Sequence, residues 1–137
     1  MKKVIDIKAM QYITLFEEVT RVTAKDCVLR DDQIIFIVNM GDVGTAVGPK
    51  GLNVKKLEQK LKKKIKIIGY SDDLNDFIRS MVAPLQLEEI NENNGVVELT
   101  AKDLKTRGLL IGRNASILRG YESIVQRFFP IKELKVK

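Results

Sequence analysis

Two short glycine-led breaks, GPKG at residues 48–51 and GRNA at 112–115, punctuate a chain of 137. Each interrupts a stretch that otherwise reads as helix. Glycine has no Cβ, so it reaches φ > 0 and lets another group come close to the backbone. A break repeated at close to half the chain length constrains the fold strongly, because whatever surrounds the first must surround the second. A single repeat of this period marks a tandem of two small domains, not a solenoid of many units.

The rest of the chain follows the same rhythm. Residues 8–20 predict a helix, with Met10, Tyr12, Ile13, Phe16 and Val19 in mostly helical spacing. CVLRDDQIIFIVN (27–39) reads as two strands about a turn at Asp31-Asp32. A short helix leads into Val47. After Gly51, Val54, Leu57 and Leu61 fall at i, i+3 and i+7 and predict the buried stripe of an amphipathic helix. IKII (65–68) reads as a strand.

Then the order restarts. Ser71 is the expected N-cap, with Asp72 and Asp73 in the first turn of a helix that stops near Pro84. LQLEEI (85–90) and VVELT (96–100) predict strands joined by the turn NENNG. Residues 102–110 predict a helix ended by GRNA. Ile117, Tyr121, Ile124, Val125 and Phe128 predict the apolar stripe of another helix, ended by Pro130, and IKELKV (131–136) the last strand. Each half reads helix, strand, strand, short helix, glycine break, helix, strand. The expected class is α+β, with domains at 1–70 and 71–137. Domains of this size are marginal alone, and no Pro/Ser-rich linker parts them, so a rigidly coupled pair is expected.

Charge is unevenly placed. The net charge is +6, and all of it lies in residues 1–70, with 14 basic against 8 acidic; residues 71–137 balance at 10 against 10. The excess gathers at Lys50, Lys55, Lys56, Lys60, Lys62, Lys63, Lys64 and Lys66. Such a cluster suits a polyanion or an acidic membrane, and equally a solvated helix face. No apolar run reaches the length of a membrane span, and the N-terminus lacks the pattern of a signal peptide, so the simplest compartment is the cytoplasm. The one cysteine, Cys27, excludes an internal disulfide and reads as a buried thiol.

Catalysis is not expected. The chain has no histidine, the commonest general base and metal ligand. GTAVGPKG lacks the G-x-x-x-x-G-K-[ST] spacing of a nucleotide-binding loop. Asp72-Asp73 and Glu88-Glu89 read as helix-capping and strand-edge charge, not as metal ligands. No cofactor is expected.

A glycine break at the start of a helix has a different use. The first turn carries N–H groups without helical partners, and these, with the helix dipole, favour an anion. Gly48 and Gly51 would let a phosphodiester backbone lie against the turn, with Lys50 directed at the phosphates. Lys55 and Lys56 would extend the positive field. Val47 and Val54 are candidates for an apolar surface that receives bases. Tyr121, Phe128 and Phe129 read as core rather than as a stacking platform, while Tyr70 is open to either reading.

VGPKGLNVKKLE (47–58) resembles the K-homology (KH) signature, an aliphatic residue followed by G-x-x-G and a helix. The helix and strand ahead of the loop resemble the type II, prokaryotic arrangement. Two such modules joined by SDDLNDFIRSMVAP (71–84) resemble the archaeal NusA-like transcription factors over essentially the whole chain. That resemblance implies two tandem type II KH domains, each a three-stranded sheet packed on helices. It implies single-stranded RNA as partner, a role in transcription termination or antitermination, and RNA polymerase as a candidate protein contact. A monomer is expected.

Carried over residue by residue, the RNA-binding positions are Val47, Gly48, Pro49, Lys50, Gly51, Val54, Lys55 and Lys56, then Ile111, Gly112, Arg113, Asn114 and Ala115. The second loop ends in alanine, whose methyl group is expected either to crowd a phosphate or to block φ > 0. Arg113 keeps a charge there, and Arg107 and Arg119 are near in sequence. Bacterial NusA also carries an N-terminal polymerase-binding domain and an S1 domain, which 137 residues are not expected to accommodate. The competing reading is a ribosome-linked or polymerase-associated adaptor whose main contacts are with protein, open above all for residues 71–137.

Overall fold

The computed structural model describes residues 7–137. Residues 1–6 of the first expected domain lie outside the described residues. The chain divides into two compact units, parted between Ser71 and Asp72.

The first unit runs α1 (Ile7–Thr20), β1 (Asp26–Leu29), β2 (Gln33–Asn39), a 3-10 turn, α2 (Val43–Val47), a second 3-10 turn (Pro49–Gly51), α3 (Leu52–Leu61) and β3 (Lys64–Tyr70). Its sheet has the order β1-β2-β3, antiparallel between β1 and β2 and parallel between β2 and β3. Parallel neighbours need a crossover, and α2 and α3 supply it. GPKG is the point where that crossover reverses. Along β2, Ile34 to Val38 are all buried, so the strand is covered on both faces. Ile34, Phe36 and Val38 share a core with Phe16, Ala46 and Leu57. The Phe16 and Phe36 rings stack at 4.2 Å between centroids. Cys27 is buried.

The second unit runs α4 (Leu74–Val82), β4 (Leu87–Asn93), β5 (Val96–Ala101), α5 (Leu104–Ile111), a 3-10 turn (Arg113–Ala115), α6 (Ser116–Gln126) and β6 (Glu133–Val136). Its sheet has the matching order β4-β5-β6 and the matching antiparallel and parallel pairs. The chain is therefore α+β, with two three-stranded sheets.

Several elements depart from the sequence reading, each for a local reason. The β4–β5 hairpin turns on Asn94 and Gly95 alone, both with positive φ (52° and 85°), so Asn91 to Asn93 join the strand. Helix α4 is capped by Asp73, whose carboxylate accepts from Asp76 N at 3.0 Å, and not by Ser71. Helix α6 stops at Gln126, before Pro130. Phe128 and Phe129 leave the helix and pack on the Phe77 ring at 5.5 and 5.4 Å. Ile117 is 45% exposed; Leu118, Ile124 and Val125 form the buried stripe instead. The last strand begins at Glu133 rather than at residue 131.

One anchor recurs in both units. The Ile65 N–H donates to Glu58 Oε2 at 3.2 Å, tying α3 to the start of β3. The Leu134 N–H donates to Glu122 Oε2 at 2.9 Å, tying α6 to β6. Glu58 and Glu122 occupy the same place in the repeat, at equal distances from Gly48 and Gly112. A hydrogen bond to a charged acceptor contributes more than a neutral one. Replacing Glu122 by alanine is expected to lower the unfolding free energy by about 1–3 kcal/mol, measured by urea denaturation of the whole chain. A loss below about 0.5 kcal/mol would remove the anchor from the account.

Candidate nucleic-acid interface

The five-residue helix α2 ends at Gly48, whose N–H closes on Gly44 O at 3.0 Å. Gly48 has φ 81° and ψ 166°, a region open essentially to glycine alone. Pro49 follows with its preset φ. Lys50 (φ 54°, ψ 28°) and Gly51 (φ 72°, ψ 21°) are both left-handed, and α3 starts at Leu52. Two successive left-handed residues turn the chain sharply enough to bring α3 back toward β3.

The loop is open to solvent. Pro49 and Lys50 are exposed, and Gly48 and Gly51 are half-buried. Lys50, Lys55 and Lys56 are exposed, and none is ion-paired to another described residue. Helix α3 has no side-chain cap. By contrast, the first turn of α4 is capped by Asp73 and that of α5 by Asp103, which accepts from Thr106 N at 2.8 Å. That backbone hydrogen bond holds the Asp103 carboxyl below the usual carboxylate range. An aspartate cap on α3 would put negative charge where an anion would sit; the chain leaves it out there and also on α6. Val47 and Val54 are half-buried beside the loop, and Leu52, which no sequence pattern singles out, is 47% exposed.

The lysine cluster divides. Lys50, Lys55 and Lys56 lie at the loop end of α3. Lys62, Lys63 and Lys64 lie about 15 Å away at the other end, lining a groove with Asp31, Asp32 and Glu58. Cations near a helix C-terminus offset its dipole, which accounts for those lysines without a ligand. Lys66 lies on β3, where burial pulls its amine below the usual lysine range. Lys25 Nζ sits 4.8 Å over the Tyr70 ring, which gives that aromatic a partner inside the unit.

The second loop repeats the first almost angle for angle. Gly112 has φ 73° and ψ −178°, Asn114 φ 54° and ψ 34°, and Ala115 φ 60° and ψ 21°. The alanine does not block positive φ, which corrects one of the two expectations for it. A Cβ built at Gly51, the corresponding position, meets nothing within 4 Å. A left-handed alanine costs about 1–2 kcal/mol, which a fold can bear. The first glycine is different. A Cβ at Gly48 would lie 3.0 Å from both Cγ and Nδ2 of Asn53, and one at Gly112 would lie 2.9 Å from Ile117 Cβ.

The charges differ more than the backbone. Arg113 and Asn114 are exposed at the loop tip, and Ile111 is half-buried ahead of it. Arg107 is exposed on α5. Arg119 is engaged with Glu122 at 2.6 Å, so part of its charge is offset within α6. When the two loops are laid over each other, Asn114 falls on Lys50 and Gly120 on Lys56. Among the described residues, no group of His, Cys, Asp or Glu is placed to hold a metal ion. No helix among them is long and apolar enough to cross a membrane.

The KH domain family matches residues 10–107. The chain is 39% identical over 127 residues to the "Probable transcription termination protein NusA" of Methanocaldococcus jannaschii, covering 90% of this chain and 69% of that one. It is 29% identical over 138 residues to the protein of the same name from Halococcus morrhuae, covering 99% of each. In three dimensions it is similar to the crystal structure of APE1850, with a TM-score of 0.78 at 27% identity, over 97% of this chain and 100% of that one. The chain belongs to the KH domain family and, within it, to the archaeal NusA-like proteins.

The two glycines of the first loop should respond differently to a methyl group. Gly51→Ala is expected to cost about 1–2 kcal/mol with the loop intact. Gly48→Ala adds a steric clash to a backbone region closed to alanine, and is expected to cost at least about 2 kcal/mol more. Urea unfolding of the two variants measures the difference; equal losses would contradict the division of roles.

Proposed function

We propose that the protein is a non-catalytic single-stranded RNA-binding factor made of two tandem type II KH domains, residues 1–70 and 71–137. Its role is in transcription termination or antitermination, on nascent RNA. The observation that carries the reading is the GPKG loop: exposed, left uncapped by any side chain, and flanked by Lys50, Lys55 and Lys56 with no acidic partner among the described residues. Sugar–phosphate lies along Gly48 to Gly51, at the amide end of α3. Lys50 faces the phosphates, and bases turn toward Val47 and Val54. The KH fold is one that clamps a single strand at such a loop. The termination role rests on the names of the relatives.

The second loop, Ile111 to Ala115, keeps the shape of the first and offers fewer cations. It takes a weaker share of the same strand, and holding two stretches at once raises avidity. The protein works as a cytoplasmic monomer, without cofactor or metal. RNA polymerase is its candidate protein contact. A second reading, an adaptor whose main contacts are with the polymerase or ribosome, draws support from residues 71–137: that half carries no net charge, and Leu104, Leu109 and Ile117 stand exposed on it.

Replacing Lys50 and Gly51 together by aspartate puts two negative charges in the seat while leaving left-handed backbone accessible. Affinity for single-stranded RNA is expected to fall at least about tenfold. For Lys50→Ala alone, the slope of log K against log [salt] is expected to shrink by about 0.7. Unchanged affinity in the folded double variant would overturn the RNA reading and favour the adaptor.

A further inference from the structure

The two loops share their shape but not the side chain beneath it, and that difference assigns a role to residue 53. In the first unit, Asn53 Nδ2 donates to Thr45 O at 3.2 Å. Its side chain also fills the space that a Cβ on Gly48 would need. One side chain thus spans the loop, joining the first turn of α3 to the last turn of α2. Thr45 O lies in the last turn of α2, where carbonyls run out of helical N–H partners. A five-residue helix does not hold its shape alone. In the second unit the side chain against Gly112 is Ile117, which holds the place of Asn53 in the repeat. Isoleucine cannot donate, so there the contact is packing only.

We propose that Asn53 is a positioning residue for the RNA seat, holding Gly48 to Gly51 in the binding shape without touching RNA itself, and that Ile117 does the same for the second loop. The proposal rests on the RNA reading for its binding consequence, and on the loop geometry alone for its structural one. Occupancy beneath the first glycine is the shared requirement, and the amide is one of two ways to meet it. The reason for glycine at 48 and 112 follows. That position faces inward onto residue 53 or 117, whereas a Cβ at Gly51, the counterpart of Ala115, faces open space. The tolerance of alanine at 115 and the retention of glycine at 112 are then one fact.

Three full-length variants test this: Asn53→Ala, Asn53→Ile and, as the control for the seat, Lys50→Asp. The first readout is amide hydrogen exchange in the free protein. Asn53→Ala is expected to speed exchange from Lys50 to Val54, and Asn53→Ile to leave it near that of the native chain. The second readout is affinity for a short mixed-sequence single-stranded RNA across a salt series. Asn53→Ala is expected to weaken binding by about fivefold through lost preorganisation, with the salt slope unchanged because no cation is removed. Asn53→Ile is expected to bind within about twofold of the native chain. If both Asn53 variants bind weakly while Lys50→Asp also does, the amide itself touches RNA and the positioning role is overturned. Native exchange rates in Asn53→Ala overturn it as well. If Lys50→Asp binds normally, the RNA reading fails, and the exchange data alone then decide whether residue 53 holds the loop.

Discussion

The structure turns on one backbone conformation, adopted twice. Gly48 and Gly112 combine φ near 80° with ψ near 180°, a region in which a side chain does not fit. From there the short helix stops and a longer one starts in a new direction within four residues. That reversal completes the crossover between two parallel strands, β2 to β3 and β5 to β6. The loop that closes the fold is also the loop that offers a bare backbone and an uncapped helix start to solvent. Fold and candidate site are the same feature seen from two sides.

The two copies have been filled in differently. The first keeps glycine at both ends, surrounds itself with lysines that are ion-paired to no other described residue and locks its shape with the Asn53 amide. The second accepts a left-handed alanine, an asparagine at the tip and an arginine drawn off by Glu122. Since the backbone angles of Gly48, Lys50 and Gly51 nearly match those of Gly112, Asn114 and Ala115, side-chain chemistry is what separates the two loops. On the proposed RNA reading the first loop is the stronger seat, in the unit that carries the whole net charge.

Much of this is legible in the sequence. The doubled glycine break, the helix stripe at Val54 and Leu57, and the exposed Lys50 between two glycines all follow from period and residue type. What is not legible depends on contacts remote in sequence or on geometry. Ile117 has the spacing of a core residue, yet it is exposed, because it covers the first glycine of its loop instead. Alanine at 115 reads as an obstacle to the turn; it sits at φ 60° all the same, a left-handed strain the fold bears, and the open space at the matching Gly51 shows that its methyl group adds no clash. The lysine run reads as one patch; a helix of ten residues between its two ends divides it, and the far end lines a groove with Asp31, Asp32 and Glu58. Asn53 carries a signal that could be found, since it aligns with Ile117 when the halves are laid over each other. The shared glutamate at 58 and 122 is equally visible in that alignment, but its partner N–H groups are not.

The central claim is that single-stranded RNA lies on the glycine turn at the start of α3. An amide chemical-shift titration of the whole chain with single-stranded RNA tests it most directly. The account predicts the largest shifts at Gly48, Lys50, Gly51 and Val54, with a smaller set from Gly112 to Leu118 that saturates at higher RNA concentration. Shifts gathered at Lys62 to Lys64, with the GPKG amides unmoved, would contradict it.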